Sequence, residues 1–161
     1  MIEAAEREAV IAEALTWLGT AYHHAAWIKI AKDEQGRVID RGGADCATST
    51  YLIYRVALPN RIPDLDLSDY SPQWNLRTQA AQAERYLMTV CSVPGAHETK
   101  APKPGDLVLY RFAHAWAHGA IIMSPGWPAI LHANGGAGRV MLDQGRNDRL
   151  AKAPIKFFSL W

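Results

Sequence analysis

Residues 42–59, with the sequence GGADCATSTYLIYRVALP, decide how the chain folds. After Cys46 the apolar residues recur at helical spacing, which predicts a helix of about three turns that Pro59 ends. Asp45 is the predicted N-cap, because its carboxylate can accept hydrogen bonds from the free backbone N–H groups of the first turn. The pattern therefore predicts that Cys46 lies in the first turn of a helix.

A cysteine in the first turn of a helix is well placed to act as a nucleophile. Unpaired backbone N–H groups and the positive end of the helix dipole lie near its sulfur. Both are expected to lower the pKa of the Cys46 thiol from about 8.5 towards neutrality and so to enrich the reactive thiolate. The alternative is a small buried residue, because most free cysteines only pack. The other cysteine, Cys91, follows an apolar helix end and is interpreted as structural.

A nucleophilic cysteine needs a base, which is usually distant in the sequence. His118 lies where a loop turns into an apolar strand, and His132 lies at the end of the next predicted strand. If these strands are antiparallel neighbours, the two imidazoles can lie close together on one face of the sheet. One could then be the base for Cys46 while the other orients it. The alternative is that both are surface histidines, which are common at strand ends.

The residues before Cys46 predict one helix and one hairpin. Between Glu3 and Leu18 the apolar positions recur at three- and four-residue steps, and Gly19 follows where a helix C-terminal glycine belongs. Two short runs, at 27–31 and 37–39, flank a turn-rich segment and predict a β-hairpin at about 27–41.

The residues after Pro59 predict a loop, a further helix and then strands. The loop covers residues 60–71, and Pro72 can open a helix that runs near Trp74 to Val90. The apolar face of that helix comprises Leu76, Ala80, Ala83 and Leu87. Short β-rich runs follow: LVLYRF, GAIIM, AILHA, RVMLD and IKFFSLW. Because helices come first and strands second, the order predicts an α+β fold with an antiparallel sheet or small barrel.

The composition is that of an ordinary globular protein. The chain has 161 residues, of which 49% are hydrophobic and 20% are charged, and we expect a single domain over residues 1–161. Its 17 basic and 16 acidic side chains give a net charge of +1, which offers no broad positive surface for nucleic acid or a membrane. No apolar run is long enough for a membrane span. The charged N-terminus, MIEAAEREAV, is unlike a signal peptide, so we expect synthesis in the cytoplasm without export by secretion.

Three further histidines could ligate zinc together with Asp45 and Cys46. They are His23, His24 and His114. Zinc sites use His and Cys ligands at recurring spacings, and the spacing here matches none of the familiar patterns. We therefore predict neither a metal nor another cofactor.

Taken in order, five motifs resemble the NlpC family of papain-like cysteine peptidases, which cleave the peptide stems of bacterial cell walls. The motifs are LTWLGTAYHH (15–24), GGADCATS (42–49), PKPGDLVLYRF (102–112), AHGAIIM (117–123) and ILHAN (130–134). The resemblance covers most of the chain, from about residue 2 to residue 143. It implies a papain-like α+β fold in which N-terminal helices pack on a C-terminal antiparallel sheet.

The resemblance also implies roles for individual residues. Cys46 matches the family's nucleophile, His118 its general base, and His132 the polar third residue that orients the imidazole. Tyr22 and Asp45 are expected on the oxyanion and substrate side of the nucleophile, with the backbone N–H of Cys46 as a second oxyanion donor. The implied reaction is hydrolysis of the amide bond between γ-D-glutamyl and a diamino acid, through a thioester acyl-enzyme.

Three departures from the family pattern leave the substrate preference open. The family's Asp-Cys-Ser-Gly run is Asp-Cys-Ala-Thr at 45–48 here, and the usual Gly-Gly pair after the tyrosine is replaced by His23-His24. The predicted hairpin at about 27–41 looks like an insertion, which could shape specificity, cover the cleft or bind a partner. None of the departures removes a residue that matches the catalytic set.

The segments DYSPQWNL (69–76) and AERYL (83–87) resemble the branch of the family that bacteriophages and gene transfer agents encode beside tail genes. We therefore expect a cell-wall peptidase that a phage-like tail carries to the periplasm or wall. Its substrate would be the peptidoglycan stem peptide, and its partners tail-tip or baseplate proteins. The alternative is a structural tail-tip component with a vestigial or auxiliary cleft. A third hypothesis is another thiol hydrolase or acyltransferase on the same fold.

Overall fold

The computed structural model describes residues 1–67 and 76–161, and for residues 76–80 it describes the backbone only. The α-helices are α1 (Ile2–Thr16), α2 (Cys46–Ala57) and α3 (Leu76–Cys91). The strands are β1 (Trp27–Ile28), β2 (Ala31–Lys32), β3 (Val38–Asp40), β4 (Gly43–Ala44), β5 (His97–Thr99), β6 (Leu107–Phe112), β7 (Ala115–Ile122), β8 (Ala129–Asn134), β9 (Arg139–Gln144) and β10 (Ile155–Ser159). A 3₁₀-helix, Asp148–Lys152, lies between β9 and β10. None of the described helices is long and apolar enough to cross a membrane.

Six strands form one antiparallel sheet, in the order β5-β10-β6-β7-β8-β9. The three α-helices precede all six of these strands in the chain and pack against the sheet, so the predicted α+β fold class is confirmed. Strand β7 begins earlier than predicted, at Ala115, because residues 115–118 pair with the end of β6. The short strand β5 was not predicted, since none of its residues is buried and no apolar pattern marks it.

The sheet separates two apolar layers. On one face, Leu109 and Ile121 belong to the core that the sheet shares with the helices. On the other face, Val108 and Ile122 pack with Leu150 of the 3₁₀-helix. Strand β6 is buried on both faces along most of its length, which explains why its sequence is a continuous apolar run rather than an alternating one.

Helix α2 occupies the centre of the helical layer, where it contacts α1, α3, β7 and β8. Strand β7 approaches it closely at Gly119, where an added Cβ would collide with Leu87 of α3 and would lie 3.2 Å from Thr50 of α2. A larger residue there would require the Leu87 side chain to move and would crowd Thr50. Gly119 thereby lets both helices pack onto β7 beside His118.

Strands β7 and β8 separate towards one end of the sheet. The register pairs Ile121 and Ile122 of β7 with β8. From there, β7 continues along β6 while β8 continues along β9. The separation leaves an opening with His118 on one side and His132 on the other, and it exposes a hydrogen-bonding edge of β7 to the start of α2.

The segment between α1 and α2 folds back on itself. Strand β2 pairs with β3 across a turn, and β1 pairs with β4 immediately before α2. The predicted strand at 27–31 is two shorter strands, because the backbone N–H of Ile30 donates to the Thr20 hydroxyl instead of to a neighbouring strand. Apolar side chains of this segment are exposed: Trp27, Ile28, Val38 and Ile39.

Helix α1 ends two residues before the predicted end at Leu18. The backbone N–H of Leu18 donates to the carbonyl of Leu15, three residues back, so the last turn is tighter than an α-helix. Gly19 follows with a φ of +86°, the left-handed conformation that ends many helices.

The predicted loop at 60–71 is described as far as residue 67. There it is anchored by the backbone N–H of Leu65, which donates to the Tyr51 hydroxyl. The predicted helix start at Pro72 and Trp74 lies outside the described residues, as do the side chains of Leu76 and Ala80. On the remainder of the predicted apolar face, Ala83 and Leu87 are buried.

Candidate active site

Cys46 begins α2, and Asp45 caps the helix as predicted. Asp45 Oδ1 accepts hydrogen bonds from the backbone N–H groups of Ala47 (3.0 Å) and Thr48 (2.9 Å). In return, the Thr48 hydroxyl accepts from the N–H of Asp45 at 3.1 Å. This capping box, with Thr in the position usually held by Glu or Gln, does not use the backbone N–H of Cys46.

The thiol of Cys46 lies against the edge of β7 that the strand separation exposes. Its Sγ donates to the carbonyl of Ala117 at 3.4 Å. The backbone N–H of Gly119 is also close enough to the sulfur to lower the pKa of the thiol. Because His118 lies between these two residues, the thiol is held beside the stretch of β7 that carries the histidine.

Burial raises the pKa of the Cys46 thiol well above its ordinary value, and the neighbouring Asp45 carboxylate raises it further. The backbone N–H groups of Gly119, Cys46 and Ala47 act in the opposite direction but are outweighed. The expectation that the helix start brings the thiol towards neutrality is therefore wrong for the free protein, because the thiolate loses more hydration than the helix terminus replaces. The resting Cys46 side chain is a neutral thiol.

Side chains from three neighbouring strands form a hydrogen-bonded chain. His118 Nε2 of β7 lies 2.8 Å from His132 Nδ1 of β8. His132 Nε2 in turn lies 3.2 Å from Oδ2 of Asp143 on β9. The structure thus brings the two predicted histidines together and adds Asp143. Since His132 engages Nε2 of His118, the ring nitrogen left for the thiol is Nδ1.

Both imidazoles are neutral at neutral pH. Burial lowers the pKa of His118 to about 3, and the charges of His132 and Arg149 lower it further. Burial also lowers the pKa of His132, although its hydrogen bond to Asp143 acts in the opposite direction. A neutral imidazole can accept a proton, so His118 rests in the form that a general base requires.

Aromatic rings fix the orientation of the His118 ring. Tyr110, its cross-strand partner on β6, meets it edge to face with centroids 5.5 Å apart. Phe112 meets it in the same way at 6.0 Å. These contacts leave the imidazole little freedom to turn away from His132.

Tyr22 lies beside Cys46 on the same cavity. Its ring packs on the backbone at Gly135, where an added Cβ would lie 3.3 Å from it. Burial raises the pKa of the Tyr22 hydroxyl to about 12, the nearby Cys46 and Asp45 add to this, and Arg149 opposes it. The hydroxyl is therefore a hydrogen-bond donor at neutral pH.

The second carboxylate oxygen of Asp45 also has partners. Oδ2 accepts from the backbone N–H of Ala25 at 3.0 Å and lies 3.8 Å from His24 Nδ1. The residue is only 2% exposed, although it borders the cavity. Its contacts join the start of α2 to the segment that follows Tyr22. A direct contact of Asp45 with substrate stays a prediction.

A cavity of about 540 Å³ opens at the thiol. The predicted site residues all border it: Tyr22, Asp45, Cys46, His118 and His132. The lining also includes the polar residues Asp143, Asn147 and Arg149. Arg149 is exposed and holds its guanidinium 5.2 Å from the centroid of the Phe112 ring. The cavity therefore combines a thiol, a neutral imidazole and a cation.

The remaining sequence candidates are not part of this chain of contacts. His24 borders the cavity, whereas His23 and His114 are exposed and lie outside its lining. Cys91 is buried, which raises the pKa of its thiol to about 12. In the part of the chain that the structure describes, no three His, Cys, Asp or Glu side chains are arranged to hold a metal ion.

Two side chains at the cavity, Asp143 and Arg149, were not predicted. In the sequence, Asp143 is only the residue that closes an apolar strand run. A polar residue at that position was the available signal, but its meaning depends on the register of β9 on β8, which pairs Asp143 with Ile130 and His132 with Met141. No local pattern singles out Arg149.

Solved structures of similar fold include the NlpC/p60 domain of the peptidoglycan hydrolase SagA, with 19% identity and a TM-score of 0.52 over 93% of this chain and 96% of that one. The peptidoglycan hydrolase RipB from Mycobacterium tuberculosis has 18% identity and a TM-score of 0.60 over 98% of this chain and 66% of that one. An N-acetylmuramoyl-L-alanine amidase from Bacteroides uniformis has 12% identity and a TM-score of 0.52 over 95% and 98%.

No protein-family model and no curated protein sequence matches the chain significantly. The structural similarities extend over nearly the whole chain, while the sequence identities stay below a fifth. At that level of identity the structural similarities establish the fold alone. The chain has the papain-like α+β fold of NlpC/p60 domains.

Proposed function

We propose that this protein is a cysteine peptidase that cleaves the stem peptides of peptidoglycan. The observation that carries the proposal is the position of Cys46, at the start of a helix and against the strand that carries His118, in a cavity shared with His132. Nucleophile, base and orienting group then follow one another, as covalent amide hydrolysis requires. The similarity to peptidoglycan hydrolases of the same fold supports the choice of substrate class.

In the first half of the reaction, His118 Nδ1 takes the thiol proton as Cys46 Sγ attacks the amide carbonyl carbon. The C–N bond then breaks, and the same proton passes from His118 to the leaving amine. The product is a thioester on Cys46. Because the resting thiol is neutral, proton transfer accompanies the attack instead of preceding it.

In the second half, water attacks the thioester with His118 again as the base. The proton returns to the Cys46 sulfur as the C–S bond breaks, which releases the carboxylic acid and restores the thiol. His132 keeps the His118 ring in place in both halves through the 2.8 Å contact.

The negative oxygen of each tetrahedral intermediate needs donors that are already in position. Two are available at the cavity. The backbone N–H of Cys46 is not consumed by the helix cap, and the Tyr22 hydroxyl, with its pKa raised to about 12, keeps its proton. We assign these two groups to the oxyanion site.

The expected bond joins the γ-carboxyl of D-glutamate to a diamino acid. Such a linkage leaves the α-carboxylate of the glutamate free and close to the scissile bond. Arg149 supplies a cation at the same cavity, within electrostatic reach of His118 and Tyr22. A guanidinium suits a carboxylate, because the two groups can form paired hydrogen bonds.

Digestion of purified muropeptides, followed by mass spectrometry, tests the proposal. The wild-type protein should release the diamino acid with any residues that follow it and leave the disaccharide bearing L-Ala-D-Glu. Release of the entire peptide from the sugar would instead indicate an N-acetylmuramoyl-L-alanine amidase, the activity named for one protein of this fold. Cleavage by folded Cys46→Ala at the wild-type rate would overturn the mechanism.

We further infer that a phage-like tail delivers the enzyme to the cell wall. This inference rests on the resemblance of DYSPQWNL (69–76) and AERYL (83–87) to tail-associated members of the family. Proteomic analysis of purified particles tests it, since the protein should sediment with tail proteins. Its absence from intact particles would contradict delivery without affecting the enzymatic proposal.

The second candidate is a structural tail component with a vestigial or auxiliary cleft. The exposed Trp27, Ile28, Val38 and Ile39 favour it, because several exposed apolar side chains in one segment are typical of protein contacts. Stable association with tail proteins together with no muropeptide cleavage would support this candidate over the first.

A further inference from the structure

Asp143 ends the hydrogen-bonded chain that begins at the base. Its carboxylate receives four donors. Oδ1 accepts from the backbone N–H of Gln144 at 2.7 Å and from Asn147 Nδ2 at 3.0 Å. Oδ2 lies 3.2 Å from His132 Nε2 and accepts from Asn134 Nδ2 at 3.3 Å. The residue is therefore oriented on both oxygens.

We propose that Asp143 is a positioning residue that sets the tautomers of both His132 and His118, and so decides which nitrogen of His118 is the base. The inference rests on the proposed function, in which His118 deprotonates Cys46. Asp143 acts through the two histidines, since its four hydrogen-bond partners are groups of the protein itself and one of them is His132.

The argument follows the protons along the chain. An ionised carboxylate can only accept, so the proton of neutral His132 must be on Nε2, facing Asp143. His132 Nδ1 then carries a lone pair and accepts from His118 Nε2–H across 2.8 Å. The lone pair of His118 is thereby on Nδ1, the nitrogen left for the thiol of Cys46. A single carboxylate thus specifies both tautomers.

Asp143 is suited to hold its charge. Burial acts to raise its pKa, but the N–H of Gln144, the ring of His132 and the amide of Asn147 together lower it below the ordinary value. The carboxylate therefore remains an acceptor at neutral pH. His132 is only 3% exposed, so few water molecules compete for its Nε2.

Replacing the aspartate by asparagine should reverse the direction of the hydrogen bonds between residue 143, His132 and His118. In Asp143→Asn we expect the single oxygen to keep its two shorter contacts, with the N–H of Gln144 and with Asn147 Nδ2. The amide NH₂ then faces His132 Nε2, and Asn134 loses its longer, 3.3 Å contact. His132 must then carry its proton on Nδ1 and donate to His118 Nε2. His118 is left with its proton on Nδ1 and cannot act as base there.

This reversal gives an order of activities that loss of packing would not produce. In other triads an Asp→Asn change that imposes the wrong tautomer lowers kcat by about 10⁴-fold. Here the carboxylate acts through one more side chain than in those triads. We therefore expect kcat of Asp143→Asn to fall at least about 100-fold with KM little changed. Asp143→Ala, which imposes no tautomer, should lose only about tenfold.

The decisive experiment is ¹⁵N NMR of the histidine rings in the full chain, without substrate. Signals are assigned from single His→Gln variants, and kcat and KM are measured in parallel on muropeptides. Wild type should show both His118 and His132 protonated on Nε2, and Asp143→Asn should show both protonated on Nδ1. The matched control is Glu98→Gln, on the opposite edge strand β5, which should change neither tautomer nor kcat.

Three results would overturn the proposal: Nδ1-protonated rings in wild type, unchanged tautomers in Asp143→Asn, or an Asn variant as active as the Ala variant. The wild-type spectrum decides even if the Asn variant does not fold. Because the NMR measurement needs no substrate, absence of muropeptide cleavage by wild type would refute the proposed function and leave the tautomer assignment testable.

Discussion

The helix cap on one wall of the cleft and the hydrogen-bonded side chains on the other differ in the range of their contacts. On the helix wall, Asp45 is hydrogen-bonded to Ala47 and Thr48, two and three residues away in the sequence. On the sheet wall, His118 and His132 are 14 residues apart, and Asp143 lies 11 residues further on. The capping contacts depend on one local motif, whereas the chain of side chains depends on the register of three strands. Changes on the helix wall should therefore mainly affect the stability of the fold. Changes on the sheet wall should mainly affect where and when the histidines are protonated.

The largest expected effect is on stability, from Asp45→Ala on the helix wall. The substitution removes the acceptor for Ala47 and Thr48 and leaves the buried N–H of Ala25 without a partner. A lost N-cap destabilises by about 1 kcal/mol, and an unsatisfied buried donor adds about 1–3 kcal/mol. Urea unfolding should show a loss of about 3 kcal/mol.

The control for this prediction is Asp40→Ala. Its Oδ1 also accepts a local backbone hydrogen bond, from Gly42 at 2.8 Å, but the side chain is exposed. We expect a loss below about 1 kcal/mol, because water replaces the bond. Equal losses in the two variants would mean that the capping box does not hold the helix wall.

This difference in range also explains what the sequence could predict. The cap at Asp45, the start of α2 at Cys46 and the α+β order all follow from local patterns, and the structure has them. The pairing of His118 with His132 could be anticipated because their strands are consecutive and antiparallel.

Asp143 and the thiol pKa could not be obtained in the same way. Asp143 reaches His132 diagonally across β8 and β9, so its role depends on a register that no residue pattern specifies. The pKa of Cys46 depends on how much water the packed layers remove from a thiol that is still partly exposed. The helix start in the sequence indicates the N–H groups that lower the thiol pKa, but it does not indicate the loss of hydration that raises it.

The next effect, on the sheet wall, is a pH-dependent stability. The folded-state pKa of His118 is lowered to about 3, below the unfolded value of about 6.5. As the pH falls below about 6.5, the imidazole of residue 118 binds a proton in the unfolded chain but stays neutral in the folded protein. Stability therefore falls progressively down to about pH 3. One such imidazole accounts for about 2 kcal/mol at pH 5.

Urea unfolding of His118→Gln at pH 7 and pH 5 measures this term. The variant should lose about 2 kcal/mol less than wild type between the two pH values. The exposed His114 provides the control, and His114→Gln should behave as wild type. An undiminished acid loss in His118→Gln would show that the imidazole takes up a proton in the folded protein.

A smaller effect is expected on the alkylation rate of Cys46, which lies where the two walls meet. Because burial and Asp45 raise the pKa of the Cys46 thiol, iodoacetamide should alkylate it at pH 7 at least about tenfold more slowly than a free thiol. The rate, followed by peptide mass spectrometry, should rise only well above pH 8.5. His118→Gln should leave the rate at pH 7 almost unchanged. A midpoint below pH 8.5 that disappears in His118→Gln would reveal a resting thiolate–imidazolium pair instead.

The smallest expected effect is on substrate binding, through Arg149, an exposed residue of the 3₁₀-helix that follows β9. If its guanidinium binds the glutamate α-carboxylate, Arg149→Ala should raise KM about three- to tenfold and leave kcat nearly unchanged, since an exposed ion pair contributes about 1 kcal/mol. Arg149→Lys should fall in between, because it keeps the charge but not the paired hydrogen bonds. Arg146→Ala, nearby but outside the cavity lining, is the matched control.

A substrate change completes this last test. In a stem peptide whose α-carboxylate is converted to an amide, the wild-type protein should show the same rise in KM that Arg149→Ala shows with the acid. Arg149→Ala should then lose nothing more on the amide, because each change removes the same ion pair. Additive losses would mean that the guanidinium and the carboxylate act separately. Arg149 would then be acting through its field on His118, which removal of the cation would shift towards a higher pKa.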